Sequence, residues 1–183
     1  MQGKVRIIGG KYKGRLLPVL DRHNLRPTPN RVRETLFNWL MFEIRTLVCL
    51  DAFAGSGALG IEALSRGAKK VLLLENNMDV FCKLQQIISE LKNEAVQVLP
   101  ADFYKYISNT NMQFDLIFLD PPFKEQALGS CLELLSASPV LKIDGIVYLE
   151  ANDPLPPPPK NFISIKTAKA GQITFGLYKK ISC

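Results

Sequence analysis

From residue 47 onward, apolar runs and amphipathic stretches alternate in a regular order. The run 47–53 (LVCLDAF) is short, apolar and bounded by glycine, which predicts a buried strand. Residues 57–67 (GALGIEALSRG) predict a helix closed by Gly67, and 69–75 (KKVLLLE) a second strand. A long amphipathic helix follows at 78–92, then a third strand at 95–101 and a short helix at 103–109. The fourth strand is 114–120 (FDLIFLD), the next helix 125–136, and the fifth strand 145–151 (GIVYLEA). Continuous apolar strands separated by helices indicate a mostly parallel sheet covered on both faces, an α/β domain of the doubly wound kind.

The two ends break this rhythm. Residues 4–8 (KVRII) and 15–20 (RLLPVL) bracket Gly9, Gly10 and Gly14 and predict a short β-hairpin. Arg26-Pro27-Thr28-Pro29 is a rigid extended stretch, and Asn30 is the expected N-cap of a helix. That helix carries Val32, Leu36, Trp39, Leu40 and Ile44 on one stripe, so Trp39 is expected to anchor it to the body. Near the C-terminus, 154–159 (PLPPPP) cannot be helix or central strand and reads as a stiff connection. Residues 162–168 and 172–180 then form a terminal antiparallel pair around Ala170-Gly171. The expected organisation is a basic extension over 1–29 and one domain over 30–183.

Composition narrows the class. With 47% hydrophobic and 22% charged residues the chain is an ordinary globular protein. No apolar run is long enough to span a bilayer, and MQGKVRIIGG lacks the apolar core of a secretory signal, so a cytoplasmic protein without a membrane partner is expected. Cys49, Cys82, Cys131 and Cys183 lack zinc-ligand spacing and are expected as free, mostly buried thiols, with no metal site. The net charge of +6 is uneven: residues 1–33 hold nine Lys/Arg against Asp21 alone, whereas the remainder holds fourteen against sixteen acids. A basic arm on a near-neutral body suits a polyanionic partner. His23, in a polar turn, is expected as a solvated loop residue.

The segment from Asp51 to Gly60 (DAFAGSGALG) joins the first strand to its helix, and Gly55, Gly57 and Gly60 match the dinucleotide-loop spacing. Such glycines let the backbone turn sharply and approach a ligand at the carboxyl edge of the sheet. Asp51 at the strand end opposes a pyrophosphate and suits a cation such as an amino group. Glu75 ends the next strand, where an acid can accept ribose hydroxyls. Asp102 and Phe103 follow the third strand, placed to accept from an adenine amino group and pack on its ring. In this order the elements resemble the class I (Rossmann-like) methyltransferase fold. The resemblance implies S-adenosylmethionine held by Asp51, Phe53, Ala54, Gly55, Ser56, Gly57, Gly60, Glu75, Asn76, Asp102 and Phe103.

At the end of the fourth strand, Asp120-Pro121-Pro122-Phe123 stands at the same edge. Two prolines cannot donate ladder hydrogen bonds and stiffen the turn, fixing the Asp120 carboxylate and the Pro121 carbonyl as acceptors. An exocyclic amino group has two N–H donors; two rigid acceptors orient it with its lone pair toward the methyl donor, while Phe123 offers a stacking face. Adenine N6, cytosine N4 and guanine N2 all fit this chemistry.

The runs VRIIGGKYKGRLLPV, LRPTPNRVRETLFNWL, LDAFAGSGALGIEALSRGA and FLDPPF, with the closing AGQITFGLYKK, resemble the RsmD family over about residues 4–180. That resemblance implies a monomeric guanine-N2 methyltransferase acting on 16S ribosomal RNA within the 30S subunit or an assembly intermediate. Phosphate contacts are expected from Arg6, Lys11, Lys13, Arg15 and Arg26, with Arg31 and Arg33 facing either RNA or a carboxylate. Three other readings stand beside it: an adenine-N6 methyltransferase, a non-catalytic RNA-binding assembly factor, and a nicotinamide dehydrogenase that Asp51 disfavours.

Overall fold

The computed structural model describes residues 3–18, 28–121, 124–152 and 154–182. His23, Arg26, Pro122 and Phe123, singled out above, lie outside them. The N-terminal hairpin forms as expected from β1 (Lys4–Arg6) and β2 (Leu16–Pro18), antiparallel with Val5 opposite Leu17. Helix α1 (Asn30–Trp39) follows, then β3 (Val48–Asp51), α2 (Ala58–Ser65), β4 (Lys70–Leu74), α3 (Met78–Leu91), β5 (Val96–Leu99), α4 (Phe103–Asn109) and β6 (Phe114–Leu119). The chain ends with α5 (Lys124–Ala137), β7 (Leu141–Ala151), β8 (Phe162–Ala170) and β9 (Ile173–Lys180).

Seven strands make one sheet in the order β5-β4-β3-β6-β7-β9-β8. Strands β3 to β7 pair in parallel, and β9 inserts antiparallel between β7 and β8. The apolar runs read as buried strands are buried: Leu116 to Leu119 and Val71 to Leu74 are at most 2% exposed. Each face of the sheet carries its own core. One joins α1, α2, α3 and the N-terminal hairpin, and the other joins α4 and α5 to the sheet's opposite side.

Three sequence expectations change. Asn30 is not the N-cap of α1; Pro29 takes that position, and the Asn30 side chain instead accepts a hydrogen bond from Arg33 at 2.6 Å. Strand β7 starts at Leu141 rather than Gly145, because an irregularity in its pairing with β6 lets Asp144 adopt a positive φ of 64° and the strand run on. Cys82 is exposed on α3, whereas Cys49 and Cys131 are buried.

Trp39 is the anchor expected of it. Its ring stacks on Phe175 of β9 at 5.4 Å, with the Lys166 ammonium also over the ring at 5.8 Å. The proline-rich connection is pinned as well, since the Tyr178 hydroxyl donates to the Pro156 carbonyl at 2.6 Å.

Candidate active site

In the sheet order, β4 and β5 lie to one side of β3, and β6 and β7 to the other. The reversal between β3 and β6 is where such sheets open a crevice beyond their carboxyl ends. Four acids stand at successive strand ends along that edge: Asp51 closes β3, Glu75 follows β4, Asp102 follows β5 and Asp120 follows β6.

Asp51 is 3% exposed, and its carboxylate accepts the Gly60 N–H at 2.9 Å. Burial is the largest influence on it; the Asp120 and Glu75 charges add to burial, and backbone N–H groups of Gly60 and Phe53 oppose it. Its pKa is pushed up to about 7. Among the described residues, none of the charges acting on Asp51 is positive. Glu75 ties the loop together, accepting the Gly55 N–H at 3.0 Å and the Asn77 N–H at 2.8 Å.

The glycines have separate reasons to be there. Gly57, at φ 74°, is the left-handed residue on which α2 starts. Gly60 lies against the sheet: a Cβ there would come within 2.4 Å of Leu73 and 3.1 Å of the Asp51 carboxylate. Ser56 and Phe53 are half-buried at the rim, with Ala54 and Gly55 buried behind them.

Phe103 departs from its expected place. It is 1% exposed, packed on Phe53 at 5.1 Å and Tyr104 at 5.3 Å, and so has almost no surface to give a ligand. Phe53 is the ring of this pair with an open side. Asp102 caps α4 through the Lys105 N–H at 3.1 Å, and Asn76 is exposed. Asp120 is half-buried beside buried Pro121. Behind it, buried Tyr148 donates to Glu150 at 2.9 Å, and burial with the Glu150 and Asp120 charges raises the Tyr148 hydroxyl well above its ordinary range.

The largest omission from the sequence reading is Glu62, in the middle of α2. Its side chain is fully buried and accepts the Ile8 N–H at 2.8 Å, the Gly9 N–H at 2.9 Å and Arg66 Nε at 2.8 Å. Arg33 approaches the same carboxylate at 3.5 Å and also donates to the Arg6 carbonyl at 2.8 Å. Arg33 is 0% exposed and cannot face RNA; burial lowers its pKa and the Glu62 charge opposes that. The expected RNA role for Arg33 is therefore corrected to a structural one. Through Glu62 the helix that begins at the glycine loop is locked to the N-terminal hairpin.

The other expected RNA contacts divide into two groups. Arg6 and Arg31 are exposed along the hairpin and α1. Lys11, Lys13 and Arg15 lie elsewhere: the Lys11 N–H donates to Ser65 at the end of α2, and Arg15 pairs with Glu90 at 2.6 Å near the end of α3. Helix ends of this kind sit at the amino edge of the sheet, away from the crevice.

The family model described as "Conserved hypothetical protein 95" matches residues 5–179. Ribosomal RNA small subunit methyltransferase D of Haemophilus influenzae is 43% identical over 97% of this chain and 95% of its own length. The chain belongs to this family, the RsmD methyltransferases. The solved structure of yhhF from Escherichia coli matches with a TM-score of 0.90 at 38% identity, covering 98% of this chain and 99% of that one. A 16S rRNA N2 G1207 methyltransferase of Thermus thermophilus, solved with AdoMet and guanosine, shares the fold at a TM-score of 0.70 and 21% identity, over all of this chain and 50% of that one. In this RsmD-family enzyme the row of acids lies along the carboxyl edge of the sheet, beside the reversal between β3 and β6.

Proposed function

We propose that this methyltransferase moves a methyl group from S-adenosylmethionine to the exocyclic N2 of a guanine in 16S ribosomal RNA. The observation that carries the cofactor reading is the crevice's charge. Among the described residues no positive charge acts on buried Asp51, which burial and its neighbours Asp120 and Glu75 raise, and a cationic ligand supplies one where a pyrophosphate does not. When bound, the cofactor supplies an electrophilic methyl group on a positively charged sulfur.

The chain's own residues do the rest. Asp51 and the loop Phe53 to Gly60 hold the amino-acid end, Glu75 the ribose, and Asp102 with Phe53 the adenine side; exposed Asn76 is a rim contact. Asp120 and the Pro121 carbonyl accept the two N–H groups of the target amine and leave its lone pair facing the methyl carbon. Such positioning lowers a bimolecular barrier by up to roughly 7–11 kcal/mol. Asp120 also takes the proton that the amine loses as its nitrogen bonds the methyl carbon and the carbon–sulfur bond breaks. Pro122 and Phe123 complete this reading as stiffener and stacking face. The target base leaves its stack to reach the pocket, and Arg6, Arg26 and Arg31 hold phosphates of the same RNA.

The test is transfer of radiolabelled methyl to small ribosomal subunits lacking their modifications, followed by nucleoside analysis. Label in N2-methylguanosine supports the proposal; label in N6-methyladenosine keeps the chemistry and overturns the base. Asp120→Ala is expected to abolish transfer while calorimetry shows S-adenosylmethionine still bound; loss of both makes Asp120 structural.

A further inference from the structure

The hairpin's turn is fastened to the far side of the molecule. The Tyr12 N–H donates to Ser65 Oγ at 2.9 Å, and the Tyr12 hydroxyl meets the Leu91 carbonyl and the Asn93 amide. Gly10 is pressed so closely to Ser65 that a Cβ would fall 1.8 Å from its carbonyl oxygen. Ser65 ends α2 and Leu91 ends α3. The fourteen residues of α3 put these contacts about 21 Å along the helix from its crevice end.

Around this fixed turn the amino edge collects exposed cations. Lys11 and Lys13 come from the turn, Lys92 from the end of α3, Lys69 and Lys70 from the start of β4, and Arg45 from the turn that feeds β3. Arg45 touches the Gly67 position beside Arg66, and the Lys69 N–H donates to Leu47, so these segments are contiguous. None of the six makes an ion pair among the described residues. The acids there are Glu43, Glu94 and Glu90, the last already held by Arg15. On the rest of the same edge, Lys142 pairs with Asp115 and Lys179 with Asp144, each at 2.7 Å. Phe42, 89% exposed, projects from the α1–β3 connection next to this cationic half.

We propose that this half of the amino edge is a second RNA-docking surface that grips the phosphate backbone remote from the methylated nucleotide. The proposal rests on the ribosomal RNA reading above and extends it: the enzyme engages RNA at two opposite edges, one holding the target base and one measuring the fold around it. Unpaired cations on a rigid support release counter-ions from a polyanion on binding, whereas cations already held in ion pairs release fewer. Phe42 offers an aromatic face to an unstacked base or to a sugar.

Charge reversal at two edge positions, Lys11→Glu with Lys69→Glu, is to be compared with Lys160→Glu plus Lys169→Glu, which changes net charge equally elsewhere on the exposed surface. The full-length proteins are titrated with deproteinised small-subunit ribosomal RNA at rising salt. The edge variant is expected to flatten the plot of log affinity against log salt by about two, roughly one per lost phosphate contact. The control is expected to flatten it by less than half as much, and both variants should bind S-adenosylmethionine normally. Equal slopes for the two variants, or an edge variant that matches the unaltered chain, overturn the proposal. So does an edge variant that binds naked RNA normally and loses only intact subunits, which makes the surface a protein contact. If the unaltered chain binds ribosomal RNA but transfers no methyl to small subunits lacking their modifications, the proposed reaction fails, and the slope comparison still decides on the edge.

Discussion

Replacing Glu62 by alanine removes the acceptor that four donors share: the Ile8 and Gly9 N–H groups, Arg66 Nε and, more distantly, Arg33. The Arg33 guanidinium is left fully buried beside no counter-ion, a change that costs about 3–5 kcal/mol. Each stranded backbone donor adds about 1–3 kcal/mol where water cannot reach it. These terms overlap, since the hairpin can lift and rehydrate Ile8 and Gly9, so about 4–6 kcal/mol is expected in total. Against a total stability of about 5–15 kcal/mol this is a large fraction. Urea unfolding followed by Trp39 fluorescence should show the midpoint falling by about 2–3 M, for a slope of about 2 kcal/mol per molar. Replacing Arg33 and Glu62 together by methionine should lose much less than the sum of the single losses, because the pair is then exchanged for apolar volume. A Glu62→Ala midpoint within about 0.5 M of the unaltered protein, on the same slope scale, would refute the assignment of Glu62 as the clamp.

S-adenosylmethionine affinity should rise with pH as Asp51 loses its proton near pH 7 and level off above, since a cation binds the carboxylate form. Below that point the loss approaches about tenfold per pH unit, and calorimetry showing affinity falling as pH rises would contradict it. Gly60→Ala should destabilise the protein by about 1–3 kcal/mol and weaken cofactor binding, because its Cβ collides with Leu73 and Asp51; ligand titration beside thermal melting checks both. Gly10→Ala should release the N-terminal hairpin, visible as cleavage near Gly14 under limited proteolysis, with the sheet intact. Trp39→Ala should cost about 3 kcal/mol by unstacking from Phe175 yet leave kcat for methyl transfer unchanged.

The sheet was legible because its strands are apolar on both faces, a pattern that needs no partner to interpret. The carboxyl-edge acids were legible for a related reason: Asp51, Glu75 and Asp120 each interrupt an apolar strand at its end, where a charge has no packing role. Glu62 was passed over, and Arg33 left between RNA and a carboxylate, because a buried ion pair is a fact about two segments far apart in sequence. A signal was nonetheless present. Glu62 is the single charged residue in 52–65, and all of α2 is buried. Arg33 and Phe37, four apart, extend the apolar stripe of α1 by one column. Phe103 failed differently, since the third strand's end specifies an aromatic there but not which of Phe53 and Phe103 lies underneath.

The crowding of carboxylates at the strand ends also sets a thermodynamic tension. A buried acid whose folded pKa lies above its ordinary value holds its proton more tightly in the native chain than in the unfolded one. Its contribution to stability therefore falls as pH rises from about 4 to about 7. At neutral pH Asp51 is thus a strained tenant of its own fold, and occupancy by a cationic ligand relieves the strain that function imposes. A cationic ligand bound there stabilises the native state, by about 2.7 kcal/mol at a hundredfold excess over its dissociation constant. Well-supplied enzyme and starved enzyme accordingly differ in lifetime as well as in activity.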